Sequence, residues 1–151
     1  MIDRFFGEYR FLSNFWPVVV EYEGIRYPST EHAFQAAKTV DQDERRRIAV
    51  LPSPRDAKRA GRTVSIRDDW DEIRIDVMLD LVRRKFRHAY LREMLLATGD
   101  HELVEGNDWN DFYWGVCRGR GENNLGKILM RVRDEIQDKM HSAREDDHGT
   151  A

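Results

Sequence analysis

The chain has a single cysteine, Cys117. An internal disulfide and a cysteine-cluster zinc site are therefore excluded. It has no apolar run long enough to span a bilayer, and Met1-Ile2-Asp3-Arg4 does not read as a signal peptide. A cytoplasmic location is the resulting expectation. The five histidines lack close pairing, so neither a metal nor a cofactor is expected. An excess of positive charge is also missing. At a net −3 the whole molecule is not a nonspecific polyanion binder, although local basic patches remain open. There are no internal repeats, no domain linker, and neither a Walker A loop nor a Rossmann fingerprint.

What is present suits one globular domain. In 151 residues, 40% are hydrophobic, enough for a sizeable core. The domain is read as residues 1–140. The tail, 141–151, has no periodicity and is expected to be disordered. The segment Phe5–Trp16 is dense in aromatics, most of which are expected in the core, with Ser13-Asn14 forming a turn. Val18–Tyr22 and Ile25–Tyr27 read as a hairpin about Glu23-Gly24. Asp41 or Asp43 caps a short helix, and Ser53-Pro54-Arg55-Asp56 starts another that Gly61 ends. Helices follow at roughly Trp70–Arg87, Ala89–Ala97 and from Asn123 or Asn124 onward. Glu102–Glu105 is predicted as a short strand. The fold class is α+β, mostly helical, with a small sheet.

Tyr27-Pro-Ser-Thr-Glu-His-Ala-Phe-Gln-Ala-Ala-Lys38 stands out. Ser29 or Thr30 can cap a helix there. Positions i, i+4 and i+7 share a face, so Glu31, Gln35 and Lys38 form one stripe. That stripe is either a solvated face with an ordinary Glu/Lys pair or an aligned set of reactive groups. A second stretch, Gly106–Gly115, is polar and aromatic at once: Asp108 and Asp111 are candidate acids, and Trp109, Tyr113 and Trp114 candidate stacking surfaces. After it, Arg118, Arg120 and several glycines precede a helix start, a pattern open to anion binding. Arg55, Lys58, Arg59 and Arg62 crowd one segment, equally open to solvent or to phosphate.

Taken in order, Ser13-Asn14-Phe15, Tyr27–Lys38, Ala57–Arg62, Asp69-Trp70, Leu95–Thr98, Asn110–Gly115 and Gly121–Gly126 resemble the NADAR (NAD and ADP-ribose associated), or YbiA-like, family. The resemblance runs from about Phe5 to Ile136. It implies the family's compact, largely helical α+β fold and an enzyme that hydrolyses an N-glycosidic bond. By matched position, Glu31 is implied as the principal carboxylate, with Lys38 and Asp111 also catalytic. Asn14, Phe15, Gln35, Trp70, Tyr113, Trp114, Gly115, Arg118, Arg120, Gly121 and Asn124 are implied as substrate-binding residues. Known members act on ADP-ribosylated guanine or on phosphoribosyl-amino intermediates of riboflavin synthesis. Removal of ADP-ribose from guanine is the expected activity, since Arg118 and Arg120 in a glycine loop and Trp109, Tyr113 and Trp114 before it suit a pyrophosphate and bases, and the riboflavin intermediate is the alternative. The expected partner is thus an ADP-ribose or phosphoribosyl substrate, the former on guanine of a nucleic acid, DNA included, or of a nucleotide. A non-catalytic ADP-ribose-binding module is the rival class. For the chemistry, Glu31 is expected to stay ionised beside its helix N-terminus and to stabilise an oxocarbenium-like state or activate water. Lys38 is read either as its ion-pair partner or as a Schiff-base nucleophile.

Overall fold

Alternate residues of Pro17–Tyr22 (β1) point inward, burying Val18, Val20 and Tyr22. β1 pairs antiparallel with Ile25–Ser29 (β2). Glu23 and Gly24 between them both have positive φ, the backbone of a two-residue hairpin turn. The computed structural model of the chain describes residues 1–149.

Ser29 ends β2 and caps Thr30–Ala37 (α1): its Oγ accepts the His32 N–H at 3.1 Å. His32 locks this junction. Its Nε2 lies 3.0 Å from the Leu51 carbonyl, which can only accept, so Nε2 carries the proton. Nδ1 then accepts from the Ser29 hydroxyl at 2.7 Å. All eight residues of α1 are buried. Ala33, Ala36 and Ala37 have no side chain beyond Cβ, which lets α1 pack against α2 (Gln42–Ala49), α3 (Pro54–Ala60), α4 (Trp70–Lys85) and both strands. Asp41 caps α2, and Ser53 caps α3, where Pro54 takes the first turn.

The core lies between α1, α4 and α6 (Asn124–Gly149), with α5 (Ala89–Ala97) alongside. Met78, Leu81, Val82, Leu91, Leu95, Leu103 and Leu129 are buried in it. Each contributes about 1.5–3 kcal/mol through the apolar area it removes from water. A second sheet is minimal: Gly106–Asn107 (β3) runs parallel to Val116–Cys117 (β4).

Some expectations change. Glu102–Glu105 is not a strand; Leu103 makes a single bridge to Ile2, and regular pairing begins only at Gly106. Most aromatics of Phe5–Trp16 do serve the core, with Phe5 and Phe11 inside it and Tyr9 and Trp16 packed against it, while Phe6 and Phe15 are 58% and 41% exposed. The aromatic segment instead contains a 3-10 helix, Gly7–Leu12. The tail expected without regular structure continues α6 to Gly149, with His141–Asp146 exposed. Positions 150 and 151 of that tail lie outside the described residues. No described helix is long and apolar enough to cross a membrane.

Candidate active site

A cavity of about 920 Å³ opens between α1, α3, the Phe5–Trp16 segment and the stretch from Glu105 to Trp114. The Glu31–Gln35–Lys38 stripe is its floor. Glu31 and Gln35 are 8% and 5% exposed, so the stripe is not a solvated face. The Gln35 amide donates to Glu31 Oε1 at 2.8 Å. Gly61 makes room for this pair, because a Cβ there would run into Gln35 Oε1. Asn14 secures the other end: its carbonyl accepts the Glu31 N–H at 3.0 Å, and its Nδ2 contacts Met78 Sδ. Lys85, buried beneath, donates to the Ser13 carbonyl at 2.8 Å and holds the same loop.

Burial dominates the electrostatics. It raises the Glu31 pKa above the usual carboxylate range, against the pull of the Gln35 hydrogen bond, Lys58 and Lys38. Desolvation thus works against the helix N-terminus expected to keep Glu31 ionised, a terminal dipole worth at most about 2 kcal/mol, while Gln35, Lys58 and Lys38 favour the charge. Burial lowers the Lys38 pKa, assisted by Arg62 and Lys58 and opposed by Glu31. Lys38 Nζ sits 5.9 Å from the Phe34 ring centre.

Asp111 lines the cavity, and its Oδ1 accepts the backbone N–H groups of Tyr113 and Trp114 at 3.2 and 2.9 Å. These bonds tie the Asn110–Trp114 turn. Asp108, the other candidate acid, points to solvent and forms a fork with Arg4 at 3.2 Å. Phe34 lies between the tryptophans, its ring centre 5.1 Å from that of Trp70 and 5.3 Å from that of Trp114. Trp114 reaches the cavity, whereas Trp70 is core. The Arg74 guanidinium lies 3.8 Å from the Tyr113 ring centre.

The structure thus gathers Asn14, Phe15, Glu31, Gln35, Lys38, Asp111 and Trp114 around one space. It leaves Trp70, Tyr113, Gly115, Arg118, Arg120, Gly121 and Asn124 outside the cavity lining. The reason is backbone packing. Arg118 and Gly119 have φ of 51° and 77° and form a tight turn closed by Cys117 and Arg120. A Cβ on Gly121 would strike the Gly115 carbonyl, and one on Gly115 would strike the Glu105 carbonyl. These glycines let chain segments touch each other. Asn124 N–H likewise bonds the Tyr113 carbonyl at 3.2 Å as α6 begins.

The sequence reading did not single out Glu105, Arg10 or Trp16 as site residues, yet all three line the cavity. Arg55, Lys58, Arg59 and Arg62 line it too, on the α3 side, and Arg10 lines it from the Phe5–Trp16 segment. Lys58 Nζ lies 5.8 Å from the ring centre of exposed Trp109. No group of three His, Cys, Asp or Glu side chains among the described residues is disposed to hold a metal ion.

Comparison with known proteins agrees with this architecture. A family model described as "NADAR domain" matches residues 4–137. The chain is 42% identical over 135 residues to N-glycosidase YbiA of Escherichia coli K12, covering 85% of this chain and 82% of that protein. It is 40% identical over 132 residues to a riboflavin biosynthesis protein of Vibrio vulnificus, covering 85% of this chain but only 36% of that longer protein. The NMR structure of E. coli YbiA superposes with a TM-score of 0.80 at 37% identity, covering 93% of this chain and 89% of that one.

Proposed function

The chain belongs to the NADAR family and is an N-glycosidase, and from that premise we propose that it removes ADP-ribose from ADP-ribosylated guanine. The observation that carries the choice of substrate is the pairing of a carboxyl floor with a broad basic rim. Arg10, Arg55, Lys58, Arg59 and Arg62 all border one cavity, with Lys38 on its floor. One phosphate needs two or three such donors, whereas a pyrophosphate on a larger ligand employs the whole arc. The volume, about 920 Å³, is near the top of the range for small-ligand pockets, about 300–1,000 Å³. Exposed Trp109 and Phe15, with Trp16, add aromatic surfaces for bases at the rim. The pyrophosphate is assigned to this rim and not to the Arg118–Gly121 turn.

Glu31 is the group beneath the ribose. In its charged form, favoured by Gln35, Lys38 and Lys58, it stabilises the cationic sugar and takes the proton of the attacking water. Trp114 stacks on the base, and Asp111 orders the turn that presents it. Lys38, its pKa lowered by burial, has a larger neutral fraction than a surface lysine and is a candidate nucleophile toward C1 of a ring-opened sugar.

A second reading has its own support. The V. vulnificus relative is named for riboflavin biosynthesis, and a phosphoribosyl-amino pyrimidine presents the same C1–N bond. The test offers purified protein a short DNA bearing ADP-ribosylguanine and, separately, the phosphoribosyl-amino pyrimidine. Release of ADP-ribose from the DNA is expected. Turnover of the pyrimidine alone moves the assignment to the second reading, and binding of ADP-ribose with turnover of neither makes the protein a binding module.

A further inference from the structure

We propose that Glu105 is the catalytic acid that protonates the departing nitrogen, an assignment that rests on the glycosidase reading above. Glu105 lines the cavity together with Glu31 and Asp111, on the strand-like approach to β3. Its main chain is clamped from two sides. The Asn123 side-chain carbonyl accepts its N–H at 3.0 Å, and its own carbonyl accepts the Val116 N–H at 2.9 Å. Gly115 has no Cβ to displace that carbonyl, so the side chain starts from a fixed point. Its Oε2 is fully buried and, among the described residues, has no hydrogen-bond partner.

The three carboxyls of the cavity differ in what holds their charge. Asp111 accepts two backbone N–H groups, and Glu31 accepts the Gln35 amide. Glu105 Oε2 accepts nothing. A carboxylate without donors, beside two others, is disfavoured in its charged form. Burial first, then Asp111 and Glu31, raise its pKa to about 7 against the opposing pull of Lys85 and Lys58. A group poised there is protonated often enough to give a proton near neutral pH.

The step balances. The C1–N bond breaks with its electron pair going to nitrogen, which takes the Glu105 proton. Water adds its oxygen to C1 and gives its proton to the Glu31 carboxylate. Transfer from Glu31 back to Glu105 through water restores both.

The test compares two leaving groups. E105Q is assayed on the N-glycoside and on p-nitrophenyl ribofuranoside 5-phosphate, whose phenolate departs without protonation. Turnover of the N-glycoside should fall about 100-fold or more, and that of the nitrophenyl substrate by no more than about threefold. The alkaline limb of the wild-type kcat profile, near pH 7, should be missing in E105Q. E105D should recover part of the N-glycoside activity. Equal losses on both substrates, no loss on either, or a persisting alkaline limb overturns the assignment and leaves the glycosidase reading intact. A folded wild type that releases no base from any N-glycoside breaks that reading, and this assignment falls with it.

Discussion

The floor and the rim of the cavity hold their charges in opposite surroundings. On the floor, Glu31 and Gln35 are almost sealed from water. On the rim, Arg55, Arg59 and Arg62 are exposed. A charge in a low-dielectric setting interacts several times more strongly than the same charge at the surface, where salt also screens it. The floor is therefore suited to chemistry, where one proton decides the outcome. The rim is suited to capture, where several weak contacts add.

The largest expected break in this contrast is Glu31→Gln. Turnover should fall about 10³-fold, roughly 4 kcal/mol of transition-state stabilisation, with ligand affinity little changed. Stability should move the other way. The folded pKa of Glu31 lies above its unfolded value, so the wild type loses stability as pH rises from the unfolded pKa through the folded one. The Gln variant lacks that loss and should melt no lower than wild type at neutral pH. Near wild-type kcat in the variant removes Glu31 from the mechanism.

Lys38 sharpens the same side. Lys38→Met should cost about 10²-fold in kcat, or roughly 3 kcal/mol. Borohydride added during wild-type turnover separates the two routes: a sugar adduct on the Lys38 peptide, read by mass spectrometry, places a Schiff base ahead of the water step, and its absence leaves direct attack by water. An active variant together with an absent adduct returns Lys38 to an electrostatic role.

Gly121→Val probes the turn that resembled an anion loop. Its φ of 141° and the nearby Gly115 carbonyl leave no place for a side chain. The variant should lose about 2–3 kcal/mol of stability in denaturant unfolding. If it melts like wild type but no longer gains stability with ADP-ribose, the turn binds the ligand after all.

The smallest effect is on the rim. Arg55→Ala combined with Arg59→Ala should raise KM about 5- to 10-fold, near 1 kcal/mol, leaving kcat unchanged. The increase should shrink at high salt. A loss in kcat would place these arginines with the chemistry.

Much of the floor was legible from spacing, because α1 is a capped helix and residues four and seven apart share its face whatever surrounds them. The sequence could not say which way that face turned. Hydrophobic patterning sends charged stripes to solvent, and here tertiary packing turns one toward a cavity, because α2, α3, α4 and both strands occupy the other faces of α1. Glu105 was invisible for a related reason. It reads as a polar residue in a predicted short strand, and only the tertiary fold, with Gly115 and Asn123 against its backbone, puts it in the lining of the cavity. The glycines after Trp114 misled in the reverse direction: a glycine admits a phosphate or another backbone equally well, and the neighbouring chain decides which.

By itself, then, the sequence determined most of the helices, the hairpin, the caps at Ser29, Asp41 and Ser53 and the α+β class, since those follow from contacts a few residues apart. It also carried the family pattern that identifies the bond to be cut. The tertiary structure alone decided which charges lose their water, which aromatics reach the cavity and which carboxyl is left without a donor. Desolvation is a property of everything packed around an atom, and no local spacing encodes it.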